Sequence, residues 1–176
     1  MDLQLTGKIA VVTGGTRGIG KAIARSLAGE GMDVAIIGRD LEAAKATASE
    51  IAGETGRTIR AYSADTGKDD AVRAAVAAIH KDFGRIDVLV NSAAQPSGQA
   101  KPPSLSEITD EMFWSDVNVK VMGYLRMARE VAPLMKQQGW GRIINISGLG
   151  ARQTGVTIGS IRNVGVAALT KNLADE

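Results

Sequence analysis

The chain has 176 residues, 44% of them hydrophobic, a formal net charge of +2 and no cysteine. This length suits a single domain, residues 1–176, with a core of its own, and the small, scattered charge excludes a general electrostatic pull toward nucleic acid or a membrane. Disulfides and thiolate chemistry are excluded, and with no leader-like N-terminus and no apolar run that could span a bilayer, a cytoplasmic location is expected.

The first predicted element is a strand over 8–13, built on Ile9-Ala10-Val11-Val12. It runs into Thr13-Gly14-Gly15-Thr16-Arg17-Gly18-Ile19-Gly20, and a helical period follows in Ile19, Ile23 and Leu27. Strand, glycine turn and helix in that order make a phosphate site. Glycines let the backbone approach a ligand with no Cβ in the way, and the start of the helix offers free N–H groups and partial positive charge to an anion. A glycine-rich match alone is often only a turn, but the flanking strand and helix point this one toward a dinucleotide.

The second strand, 33–38, ends in Gly38-Arg39-Asp40. In such nucleotide folds a carboxylate at this point takes the ribose 2′-hydroxyl of NAD, whereas a basic side chain pairs with the 2′-phosphate of NADP. Arg39 offers a planar fork to a phosphate and Arg17 a second cation, which favours NADP(H) over NAD(H). Two alternatives stay open: both arginines face solvent only, or Asp40 takes the hydroxyl. Asp40 also suits the N-cap of the next helix, whose stripe is Leu41, Ala44, Ala48 and Ile51.

The third strand, 58–63, leads to Asp65-Thr66-Gly67, which is good turn chemistry. Val72, Val76, Ile79 and Phe83 mark a helix, and His80, the only histidine, reads as a solvated surface residue. Strand 87–91 delivers Asn91, expected to brace the sheet by bonding to backbone. Segment 95–104 holds three of the four prolines and is aperiodic, which reads as a connecting loop. A long helix is predicted over 109–138, bent in its last part by Pro133. A fifth strand, 142–147, and a final helix marked by Val166, Leu169 and Leu173 complete the chain. Phe83, Phe113, Trp114 and Trp140 form no stacking platform for single-stranded nucleic acid, and no metal site is expected.

Alternating strands and helices predict an α/β fold: a doubly wound, Rossmann-like parallel sheet in three layers, α/β/α, with right-handed crossovers. Ligands of such sheets bind at the carboxyl ends of the strands, near the reversal of strand order. Gly14, Gly38, Asp65, Asn91 and Ser147 all lie at or just past strand ends and should converge.

The stretch TGGTRGIG resembles the cofactor loop of the short-chain dehydrogenases/reductases. Asn91-Ser92-Ala93-Ala94 is similar to that family's NNAG motif with two substitutions. Asn118 stands where the family carries its active-site asparagine, and Gly141-Arg142-Ile143-Ile144-Asn145-Ile146-Ser147 resembles the strand that delivers its active-site serine. The resemblance implies hydride transfer between a nicotinamide and a small carbonyl or alcohol substrate. It implies cofactor contacts at Gly14, Thr16, Arg17, Gly18, Ile19, Gly20, Arg39, Asp65, Thr66, Asn91 and Ala93. Ser147 would hold the carbonyl oxygen, with Gly148 the alternative for that position, and Asn118 would keep a water in the proton relay. The long helix and the last helix resemble the pair that relatives pack across a two-fold axis. Met122, Tyr124 and Met127 would then be exposed as an apolar seam in a homodimer or homotetramer. Relatives run on through a further strand and a substrate-covering segment, which are expected to be missing from residues 1–176.

The resemblance departs at the proton donor. Relatives use a tyrosine four residues before a lysine on the last helix. Aligned without a gap from Leu169-Thr170-Lys171, those two positions hold Gly159 and Asn163, which offer neither a proton nor a charge. The only tyrosines, Tyr62 and Tyr124, have no lysine four residues later, and Tyr124 reads as a packing or interface residue. Arg162 could touch a cofactor phosphate or ribose or act as an electrophile, but it is a poor acid. Losing a positioned acid costs about two to four orders of magnitude in rate. Two readings follow: an NADP(H)-dependent oxidoreductase with an altered or weakened proton path, and a non-catalytic NADP-binding sensor or partner protein on the same fold.

Overall fold

Five strands, β1 (Ile9–Thr13), β2 (Asp33–Gly38), β3 (Ile59–Ser63), β4 (Val88–Asn91) and β5 (Arg142–Asn145), form one parallel sheet in the order β3-β2-β1-β4-β5. The structure, a computed structural model, describes residues 2–95 and 101–176. Side chains of the three central strands alternate between two cores. Val11, Ala35, Ile37 and Leu89 pack under α3 (Asp69–Phe83) and α5 (Gly123–Gln138). Ala10, Val12, Val34, Ile36, Val88 and Val90 pack under α1 (Gly18–Gly29) and α2 (Leu41–Thr55). Apolar residues on both faces are what a parallel sheet covered by helices on each side requires, and each buried Val, Leu or Ile contributes about 1.5–3 kcal/mol. The expected three-layer fold is the one observed.

The two edge strands behave differently. β3 and β5 mix partly buried and exposed positions, with none fully buried, and Ile144 is 46% exposed. Burial on both faces is therefore confined to β1, β2 and β4.

Helix α2 begins on Asp40, whose carboxylate accepts from the N–H groups of Glu42 (3.0 Å) and Ala43 (3.1 Å). In α1 the expected helical period is present: Ile23 and Leu27 are partly buried against the core. Gly20, Ala24 and Ala28 are buried, while Ile19 is 65% exposed. Small residues face inward because the helix sits tight on the turn before it: a Cβ on Gly20 would stand 2.3 Å from the Gly14 carbonyl oxygen.

The predicted 109–138 helix is three pieces: α4 (Asp110–Val117), a π-helical turn (Asn118–Met122) and α5. α5 continues through Pro133 to Gln138, so the irregularity lies upstream of the proline. A π turn holds one residue more than an α turn, and a face projected across it is shifted. Tyr124 and Met127 are buried and only Met122 is partly exposed. The predicted seam of Met122, Tyr124 and Met127 is therefore not a surface. The last helix, α6 (Thr157–Ala174), buries Gly159, Arg162, Asn163 and Val166. Within the predicted 95–104 loop, residues 96–100 lie outside the described residues. Among the described residues no helix is long and apolar enough to cross a membrane.

Candidate functional site

Strand order reverses between β1 and β4, and the loops leaving these two strands touch. Gly14 has φ +66, and a Cβ on it would stand 2.9 Å from the Ala93 Cα. Thr13, at the end of β1, ties the loops together: its hydroxyl oxygen accepts from the N–H groups of Ser92 (3.0 Å) and Ala93 (3.2 Å). Above this point opens a cleft of about 440 Å³, within the range of ligand pockets.

The glycine loop forms one end of the cleft, lined by Gly14, Thr16, Arg17, Gly18, Ile19 and Gly20. Arg17 is the residue preceding α1 and makes no side-chain cap, so the first N–H groups of the helix are left for an anion. The cleft then passes Gly38 and Arg39 after β2, Asp65 and Thr66 after β3, and Ala93 after β4, and closes on Ser147 and Arg162. Asp65 borders the cleft, and its carboxylate accepts from the Gly67 N–H at 2.9 Å in the expected turn. Four of the five strand-end residues expected to converge do so. Asn91 instead lies beneath the cleft, fully buried, with its amide donating to the Asn145 side chain at 2.9 Å. It braces β4 against β5 through a side chain rather than through backbone.

Asn118 opens the π turn. Its amide donates to the Gly67 carbonyl at 3.1 Å, and its own carbonyl and side-chain oxygens accept from Arg126 at 3.1 and 2.8 Å. Arg126 also donates to the Thr66 carbonyl, so one guanidinium clamps the π turn to the β3–α3 loop. Asn118 is not among the residues lining the cleft. The Ser147 hydroxyl donates to the Asn163 carbonyl at 3.1 Å. Gly159 and Asn163 are buried in α6 outside the lining, and a Cβ on Gly148 would stand 2.9 Å from the Asn163 amide nitrogen.

Neither tyrosine reaches the cleft. Tyr62 donates its hydroxyl to Asp82, and Tyr124 donates its own to the Ile146 carbonyl; burial raises the pKa of both phenols above the ordinary value. His80 lies near the end of α3, away from the lining residues.

The sequence reading missed Lys120. It sits in the π turn, 6% exposed, and lines the cleft beside Ser147 and Arg162. Its ammonium donates to the Ser147 carbonyl at 3.1 Å. Burial first, and the Arg162 guanidinium second, push its pKa down to about 8, against the opposing pull of Asp116. Asp116 itself pairs with Arg162. The available signal was a charged residue inside the apolar run Val119-Lys120-Val121-Met122, four residues after Asp116.

The sequence pattern described as short chain dehydrogenase matches residues 8–176. The short-chain reductase protein NovJ of Streptomyces niveus is 38% identical over 169 residues, covering 96% of this chain and 63% of that protein. Among solved structures, L-sorbose reductase from Gluconobacter frateurii, complexed with NADPH and L-sorbose, superposes with a TM-score of 0.92 at 29% identity, over 99% of this chain and 66% of that one. An NAD+-bound xylitol dehydrogenase gives 0.88 at 28% identity, over 98% of this chain and 67% of its own. The chain spans 54–64% of the length of the first curated relatives it matches. By this match along nearly all of its residues, and by its sheet order and cleft, the chain belongs to the short-chain dehydrogenase family.

Proposed function

We propose that the protein is an NADP(H)-dependent oxidoreductase of short-chain type, acting on a small carbonyl or alcohol, with a proton path that does not use tyrosine. The observation that carries this reading is a single continuous cleft running from the glycine loop, past Arg39 and Asp65, to Ser147, Lys120 and Arg162. The residues fit the cofactor. The first N–H groups of α1 would hold the pyrophosphate, Arg17 and Arg39 the 2′-phosphate, and Asp65 and Thr66 would border the adenine. When bound, the nicotinamide supplies or accepts the hydride.

The preference for NADP(H) rests on this chain's own residues, since the solved relatives include both an NADPH and an NAD+ complex. A Cβ on Gly38 would stand 2.6 Å from the Thr16 methyl, so an acid there would have to displace Thr16. Asp40 has one carboxylate oxygen committed to capping α2 and does not line the cleft. Arg39 does line it. At the other end, Ser147 would have to turn its hydroxyl from the Asn163 carbonyl to hold a substrate oxygen.

The same reading takes the chain as one nucleotide-binding domain, cytoplasmic and homo-oligomeric. Trp114, Ile161 and Val164 on α4 and α6 are exposed apolar side chains that a second copy would cover, and light scattering at tens of micromolar checks this: a monomer counts against it. The test of function is nicotinamide absorbance with the full-length protein, using NADPH with a panel of ketones and NADP+ with alcohols. Saturable turnover on some member is expected. NADPH binding with no turnover across the panel would favour the second reading, a non-catalytic NADP-binding sensor or partner protein, for which the absence of any tyrosine from the cleft speaks.

A further inference from the structure

Three proton-bearing side chains meet at the Ser147 end of the cleft: Ser147, Arg162 and Lys120. A serine hydroxyl does not give up its proton near neutrality, and a guanidinium barely does so at any pH that proteins tolerate. An ammonium can, once it is withdrawn from water. Lys120 is so withdrawn, at 6% exposure. Among the described residues its ammonium has one hydrogen-bond partner, the Ser147 carbonyl, and an ammonium carries three donors.

We propose that Lys120 is the proton donor of this site, delivering a proton from its ammonium to the oxygen of the substrate carbonyl beside Ser147. This rests on the oxidoreductase reading above. In reduction, a reduced nicotinamide would give up a C–H bond to supply the hydride for the new C–H bond of the substrate; the carbonyl π pair moves to oxygen, an N–H bond of Lys120 breaks and the O–H bond forms. The neutral amine takes a proton back from water at the mouth of the cleft. In alcohol oxidation the neutral amine accepts the hydroxyl proton.

The groups facing Lys120 set its behaviour. Arg162, from α6, adds positive charge that favours the neutral amine, and Asp116, from α4, opposes it. The ion pair between these two keeps the carboxylate on Arg162. Tyr124, from α5, is committed to the Ile146 carbonyl. With burial the larger cause, the ammonium titrates at about 8, in the range where a general acid both holds its proton and can release it. The π turn, clamped by Arg126, fixes the backbone from which Lys120 enters the cleft.

The test combines an NMR titration of isotopically labelled lysine side chains, assigned with the K120M variant, with pH–rate profiles in both directions on the full-length protein. Lys120 should titrate near 8. Ketone reduction should fall above that pH and alcohol oxidation should rise through it. K120M should lose about a hundredfold or more in kcat and both pH steps, with NADPH affinity by nicotinamide fluorescence changed less than about twofold. K120R, which keeps the charge but cannot release the proton, should be equally slow. Titration at the ordinary lysine value of about 10.4 would overturn the proposal, and this measurement needs no folded variant beyond the assignment. Undiminished turnover in K120M, or NADPH binding with no turnover in the wild type, would also overturn it. Failure of NADPH to bind would instead overturn the oxidoreductase reading, and this proposal with it.

Discussion

The glycine-loop end of the cleft is built mainly from backbone, and the Ser147 end mainly from side chains. At the first end the chain removes side chains, at Gly14, Gly20 and Gly38, so that two loops and a helix start can approach one another and a ligand. Its charged groups, Arg17 and Arg39, are exposed. At the second end the chain buries polar groups. Lys120, Arg162 and Asn163 are each under 8% exposed, and the Asn163 side-chain oxygen has no hydrogen-bond partner among the described residues. A backbone site tolerates change in its surroundings as long as its glycines stay. A side-chain site depends on each neighbour, because a buried polar group without partners costs about 1–3 kcal/mol.

The sharpest way to break the contrast is to put a side chain into the backbone end. Gly20→Val would drive its Cβ against the Gly14 carbonyl, 2.3 Å away. NADPH affinity should fall by about a hundredfold or more, the loss of charge-assisted contacts to the phosphates, with the melting temperature lowered by overpacking. Fluorescence titration and thermal melting check both, and unchanged affinity would mean that the phosphates do not sit on this turn.

The second variant moves the side-chain end toward the family pattern. Gly159→Tyr with Asn163→Lys should raise turnover by about tenfold or more and make it less dependent on Lys120. A Cβ at 159 would meet the Val156 side chain at 2.8 Å, and Val156, 43% exposed, has solvent to turn into. Gly159→Tyr alone should do less, because without the lysine the phenol keeps its pKa near 10. A folded double variant with unchanged rate would mean that 159 and 163 are not the donor positions.

Smaller effects separate the two residues after β2. Arg39→Ala should weaken NADPH by about tenfold, one charge-assisted contact, and leave NADH unchanged. Asp40→Ala should cost about 1 kcal/mol through the lost cap of α2, lowering the melting temperature by about 2–4 °C, and leave the NADPH:NADH ratio as it was. A ratio shifted in the Asp40 variant would make that carboxylate the ribose reader.

The same contrast governs how much was legible in the sequence. β1, β2 and β4 read correctly because residues covered on both faces leave an uninterrupted apolar run, and the glycine loop read correctly because its geometry is local. In α1 a period of four residues fixed the helix but not the depth of each face: Gly20, Ala24 and Ala28 are buried, and Ile19 lines the cleft. The π turn left no mark in Asn118-Val119-Lys120-Val121-Met122, which has no proline or glycine. Its partners are Gly67, 51 residues away, and Arg126, two turns on in α5. Tyr124 and Met127 were placed on the surface by the resemblance alone, and tertiary packing buries both. Lys120 was missed because its place in the cleft depends on a contact 27 residues along the chain, to Ser147, and on an Arg162–Asp116 pair separated by 46.

The measurement that bears most directly on the cofactor assignment is a paired equilibrium titration of the full-length protein with NADPH and NADH, followed by nicotinamide fluorescence at constant salt. Saturable binding of both, with NADPH tighter by about tenfold or more, is the predicted result. Equal affinities would contradict the roles given to Arg17 and Arg39, and binding of neither would contradict the reading of the cleft itself.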